Sequence, residues 1–104
     1  MAMGIGTNAQ KPDEGELRRT QEEIACGVWF TSSGVALPKL IKYKDSEGII
    51  QTIHQVRVLQ QEKKYYCGIP ALEYRCSTVF GNREYLFRLY YYIEDNCWKL
   101  SWGG

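Results

Sequence analysis

The chain has 104 residues, 44% hydrophobic, 24% charged and 13% aromatic, which suits one small folded domain and excludes a charge-rich disordered chain. Thirteen Lys and Arg against twelve Asp and Glu give a formal net charge of +1, so no global field draws in nucleic acid or an anionic membrane, and either would need a local patch. The start, MAMGIGTNAQKPDEGELRR, lacks the basic-then-apolar order of a secretory signal, and no apolar run reaches the ~20 residues of a membrane span, so the expectation is a cytoplasmic protein with reduced cysteines and no membrane partner.

In chain order, residues 1–12 read as a flexible tail and residues 13–102 as a single domain. Gly4-Ile5-Gly6 has no strand before it, so it does not read as a phosphate loop. In PDEGELRRTQEEIACG, Asp13 and Glu16 have the spacing of a capping box, and Gly27 stands where a left-handed helix end belongs. A short helix is predicted here. Its apolar stripe holds only Leu17, Ile24 and Ala25, so tertiary contacts must hold it. VWFTSS and LIKYK read as strands separated by Gly34 and Pro38, and KDSEGI as a turn with Gly48 at positive φ. IIQTIHQVRVL reads as one long strand that places Ile50, Thr52, His54, Val56 and Val58 on one face. QQEKK follows as a polar connection, and Pro70 marks an edge or bend after YYCGI.

The C-terminal part carries the sharpest pattern. Gly81-Asn82 and Asp95-Asn96 are dipeptides favoured in two-residue hairpin loops. Closing the first pairs Phe80 with Arg83 and aligns Thr78/Tyr85, Cys76/Phe87, Tyr74/Leu89 and Leu72/Tyr91. Closing the second pairs Glu94 with Cys97 and aligns Ile93/Trp98, Tyr91/Leu100 and Leu89/Trp102. Both registers place Leu72, Tyr74, Cys76, Phe87, Leu89, Tyr91, Ile93, Trp98, Leu100 and Trp102 on one face, the predicted core. The reverse face is mixed, where a solvated sheet face would be cleanly polar. It carries Arg75, Leu86, Arg88, Tyr90, Tyr92 and Lys99, with Arg75 across from Arg88 and Glu73 diagonal to Arg88. The N-terminal helix, the first strands or a partner covers this face, and the internal candidates are Leu17, Ile24 and Trp29.

Chemistry finds little to hold on to. His54 is the sole histidine, which excludes a two-His metal site, and it reads as a structural residue. Cys26, Cys67, Cys76 and Cys97 have none of the short spacings of zinc or redox sites, and Cys76 belongs to the core pattern. There is no nucleophile elbow and no P-loop. The chain therefore offers no catalytic constellation, and neither a metal nor a cofactor is expected. The candidate binding set is the reverse face, Arg75, Leu86, Arg88, Tyr90, Tyr92 and Lys99. Aromatics interleaved with cations dock proteins and also stack single-stranded bases.

The stretch LPKLIKYKDSEGIIQTIHQVRVLQQEKKYYCGI, with the terminal WKLSW, resembles a family of small β-rich proteins of Gram-positive bacteria, often carried on mobile elements. The resemblance spans Val28 to Trp102 and brings no motif with an assigned activity. It implies a cytoplasmic bacterial protein and favours an interaction module.

The fold expectation is mainly β: a small antiparallel meander closing into a partly open barrel with a short N-terminal helix. The alternative is α+β, a cystatin-like helix across a curved antiparallel sheet. The functional expectation is a non-enzymatic module that binds a protein partner through the aromatic and basic face. Nucleic acid on the same face is one alternative. A small-ligand or enzymatic pocket near His54 and Tyr43 is the other.

Overall fold

Seven antiparallel strands make one sheet in the computed structural model, which describes residues 12–104. The strands are β1 (Glu22–Phe30), β2 (Ala36–Lys44), β3 (Ile50–Ile53), β4 (Arg57–Tyr66), β5 (Ile69–Phe80), β6 (Arg83–Tyr92) and β7 (Cys97–Trp102). Their spatial order is β3-β2-β1-β7-β6-β5-β4. Two meanders thus join where the first third of β1, Glu22 to Ile24, pairs with β7. The edge strands β3 and β4 are separated by only residues 54–56 of the chain. A connection this short requires the sheet to coil until its edges approach, and the Val56 N–H donates to the Lys39 carbonyl at 3.1 Å. No ladder joins β3 to β4, so the expected barrel does not close.

The predicted N-terminal helix is absent, as is the cystatin-like arrangement built on one; among the described residues there is no helix. Residues 12–21 run without regular structure, and the rest of the predicted helix is the first half of β1. Leu17, Ile24 and Ala25 were too few to hold a helix on the sheet. In β1, Ile24, Cys26 and Val28 alternate inward onto the core instead. Gly27, expected as a helix cap, sits in the strand opposite Leu40, where a Cβ would lie 3.2 Å from the Leu40 Cγ. The tail expected over residues 1–12 and the Gly4-Ile5-Gly6 motif lie outside the described residues, except for Pro12.

The first C-terminal hairpin has the expected register throughout, from Phe80/Arg83 to Leu72/Tyr91. Gly81 and Asn82 both take positive φ, 60° and 62°, as a two-residue loop of this hand requires. The second hairpin is displaced by two residues. Tyr92 pairs with Cys97 and Tyr91 with Trp98, which leaves residues 93–96 as the loop, with Asn96 at φ 52°. A shift of two preserves the faces. Trp98 and Leu100 therefore stay in the core, whereas Ile93 leaves the sheet for the loop. The predicted strand of residues 49–59 is broken at His54, Gln55 and Val56, and QQEKK lies inside β4. Because β4 is an edge strand, Glu62 and Lys63 are solvated and discourage edge pairing, whereas Lys64 is largely covered and paired with Glu73.

The core lies on the inner, concave face. Ile41, Tyr74, Phe87, Leu89 and Leu100 are fully buried there, with Cys76 and Trp98 beside them. The Tyr74 hydroxyl donates to the Ala36 carbonyl at 2.6 Å, which satisfies a polar group deep in the apolar layer and ties β5 to β2. Tyr91 stacks on Trp98 with ring centroids 4.8 Å apart.

Candidate functional site

The reverse face is covered by an extended strap. Residues 12–21 cross β4 to β7, with Leu17, Arg19 and Gln21 turned toward the sheet and Glu16, Arg18 and Thr20 exposed. The Glu14 N–H donates to the Tyr65 carbonyl at 2.7 Å, and three side-chain tethers also hold the strap. Both oxygens of the Asp13 carboxylate accept from the turn after β4, from Cys67 N–H at 3.1 Å and Gly68 N–H at 2.6 Å. Bonds from the Gly15 and Gly68 N–H groups, and then from Cys67, lower its pKa against a small desolvation effect. The Arg19 guanidinium donates to Ser101 Oγ and to the carbonyls of Trp102, Gly103 and Gly104, at 2.9 to 3.2 Å. The Tyr92 hydroxyl donates to Gln21 Oε1 at 2.7 Å. Beneath the strap, Leu17 packs on a second apolar cluster of Tyr66, Ala71 and Tyr90, with Tyr92 at its margin.

Glu73 is the electrostatic centre of this face. It is buried, and it meets Lys64 Nζ at 2.9 Å, the Tyr66 hydroxyl at 3.1 Å and Arg88 Nη1 at 3.3 Å. Burial alone would raise its pKa, but the Lys64 hydrogen bond and charge, with the tyrosine hydroxyls, outweigh that and hold it down to about 2. Arg75 does stand across from Arg88, and the diagonal Glu73 does pair with Arg88, while Arg75 is exposed. The Tyr90 hydroxyl and Arg88 Nε are buried without a partner in hydrogen-bonding geometry, although the hydroxyl lies close to Glu73. Desolvation, then Glu73, pushes the Tyr90 phenol up to about 12.

The six predicted site residues therefore separate. Tyr90 is fully buried, while Arg88 and Tyr92 are partly covered and engaged. Lys99 stands opposite Tyr90, not Tyr92 as the unshifted register implied, with its ammonium 5.4 Å from the Tyr92 ring centre. Arg75 and Leu86 face solvent. Of the residues expected to cover this face, only Leu17 does so, because Ile24 is in the main core and Trp29 is exposed.

A different site emerges at the open end of the concave face. β5 and β6 outrun their neighbours: β4 pairs with β5 only up to Ser77, and β7 pairs with β6 only up to Phe87. Residues 78–86 thus project as a two-stranded arm. Between this arm, the β2–β3 hairpin and the end of β7 lies a cleft of about 640 Å³. Its apolar wall is Tyr43, Phe80, Tyr85 and Trp102, and its polar groups are Gln51, Thr52, His54, Gln55 and Thr78. Among the described residues, no Lys, Arg, Asp or Glu lines it. Trp102 is fixed by edge-on contact with Tyr43 (5.2 Å between centroids), by Phe87 (5.8 Å) and by donation from Nε1 to Glu22 Oε1 at 3.2 Å. Phe80 and Val79 at the arm's end are 77% and 68% exposed. His54 is exposed on the cleft rim.

Sequence reasoning placed His54 and Tyr43 near a concave pocket but missed Thr78, Phe80 and Tyr85. No signal in the sequence marks them, because how far β5 and β6 outrun β4 and β7 is set by the pairing of strands remote in the chain. Among the described residues, no three His, Cys, Asp or Glu side chains converge in a metal-binding group, and no helix is long and apolar enough to cross a membrane. The four cysteines are unpaired, and burial pushes Cys26 and Cys76 up to about 12. No family model, no curated protein and no solved structure matches the chain.

Proposed function

We propose that the chain is a non-enzymatic interaction module of the cytoplasm that binds a protein partner, and that the binding surface is the cleft together with the projecting β5–β6 arm. The observation that carries this reading is the continuous exposed aromatic surface of Phe80, Tyr85 and Trp102 over an uncharged hollow. Soluble proteins rarely leave large apolar patches bare unless something docks there. The reverse face, first in line from the pattern of Arg75, Leu86, Arg88, Tyr90, Tyr92 and Lys99, has less to offer: its strap buries Tyr90, and its Arg88 is bound to Glu73. Nucleic acid is disfavoured for the same reason, and because the cleft carries no phosphate-binding cation. A small neutral ligand is the second reading, since the cleft volume falls within the range of ligand pockets.

A photo-crosslinking residue placed at Phe80, and separately at Arg75, tests the proposal. Polypeptide adducts from position 80 and none from position 75 are expected. Adducts from position 75 alone would return the interaction to the reverse face. Protection of position 80 by a low-molecular-weight fraction, without polypeptide adducts, would favour the small-ligand reading.

A further inference from the structure

We infer that the partner enters the cleft as an extended, uncharged peptide segment and adds to the sheet as a strand beyond the start of β4. This deepens the protein-binding reading above and rests on it. A two-residue loop makes its flanking pair hydrogen-bonded, so Phe80/Arg83 and, two residues on, Thr78/Tyr85 exchange backbone bonds within the hairpin. Val79 lies between them, so its N–H and C=O point away from β6 to the side that β4 occupies lower down. But β4 begins at Arg57, opposite Ser77, and no described residue pairs with residues 78–80 on that side. Across the cleft, β3 is the other edge of the sheet. The Asp45 N–H donates to the Ile49 carbonyl at 2.9 Å, which makes Tyr43/Gln51 the next bonded pair. The backbone groups of Ile50 and Thr52 therefore face outward, unpaired. The coiled sheet thus has a strand missing at one level, and an unsatisfied edge bounds that gap on each side.

The side chains around the gap define what fits. An added strand alternates its side chains, so every second residue would turn into the hollow among Tyr43, Tyr85 and Trp102 and must be apolar. A charge there would lose its hydration and meet no counter-ion, because the lining has none. Gln51, Gln55, Thr52 and Thr78 offer neutral donors and acceptors to peptide groups. The charges on β4 guard the lower edge against the same kind of pairing, and the bare edge at residues 78–80 has no such guard.

The test pans a displayed library of random short peptides on the immobilised full chain. Enriched peptides are then synthesised with and without N-methyl groups at single backbone positions. Uncharged sequences with apolar residues at alternate positions are expected, and methylation at alternate positions should weaken binding by about tenfold, the cost of losing a backbone bond. Val79→Pro should weaken binding by about tenfold as well, with little change in thermal midpoint, because the Val79 N–H takes no part in the hairpin. Phe80→Ser should weaken binding through the side chain. Binders indifferent to methylation at every position would overturn strand addition and leave a protein-binding cleft. Enrichment of acidic or basic peptides would overturn the uncharged segment. A library with no binder would overturn the inference, and would overturn the parent reading only if the crosslinker at position 80 also captured no polypeptide. A concentration-dependent dimer abolished by Phe80→Ser would make a second copy the occupant and overturn the separate partner.

Discussion

On the inner side of β6, Phe87 and Leu89 are buried by side chains of neighbouring strands. On its outer side Tyr90 is buried as completely, under a segment that is neither helix nor strand. The inner face is closed by register: once the hairpins are set, the alternation brings its apolar residues together with nothing else required. The outer face is closed by tethers. Leu17 is the one apolar side chain the strap contributes, and Asp13, Arg19 and Gln21 hold it through specific hydrogen bonds to residues far along the chain. One face is thus stabilised by many interchangeable contacts and the other by a few that are not.

The comparison breaks most readily at its two buried centres. Leu89→Ala should cost ~2–5 kcal/mol in denaturant unfolding, the range for emptying a packed core site. Tyr90→Ser with Tyr92→Ser should also destabilise by several kcal/mol, because the strap buries the first ring fully and bonds the second. A double variant with an unchanged thermal midpoint would mean that the strap does not seal this face in solution.

Glu73 separates the faces by pH. Its pKa is lower folded than unfolded, so between the two values the unfolded chain binds more protons and acid favours unfolding. The stabilisation is complete above pH ~4.5 and is lost as pH falls toward about 2, with an amplitude on the order of 3 kcal/mol. Glu73→Gln should lower stability at neutral pH, by leaving Lys64 and Arg88 without their counter-charge, and should flatten this acid limb. An acid limb that survives the substitution would assign it to other carboxylates.

Arg19→Ala sharpens the contrast without unfolding the sheet. Amide exchange should accelerate over residues 12–21 and around Ser101, while the β5–β6 ladder keeps its protection. Uniform acceleration would show that strap and core open together. The smallest effect concerns thiols. Unfolded, unreduced protein should titrate four. In the folded state exposed Cys67 should react first, whereas buried Cys76, its pKa raised to about 12, should wait for unfolding.

Much of the inner face was legible because it depends on spacing alone. Gly81-Asn82 specified a two-residue loop, and the loop specified every pair from Phe80/Arg83 to Leu72/Tyr91. Even the misplaced second turn left Trp98 and Leu100 on the right side, since strand faces repeat every two residues. The Cys67-Gly68 turn was not legible: its positive φ values of 51° and 82° are supported by an Asp13 carboxylate 54 and 55 positions away.

Spacing along the chain alone thus sets the local layer: antiparallel pairing of β5, β6 and β7, the part of the main core built on Tyr74, Cys76, Phe87, Leu89, Trp98 and Leu100, and an outer face too mixed to stand bare in water. That Ala36, Ile41 and Ile53 complete the core, and that Trp102, expected inside it, is half exposed at the cleft, comes from the assembled sheet. Only the tertiary structure decided what covers that face, because a strap with one apolar residue carries no periodic signal and is held by long-range hydrogen bonds. It also decided where the open cleft lies. That site exists because β5 and β6 continue past the ends of strands remote in the chain, and relative strand length is a property of the assembled sheet.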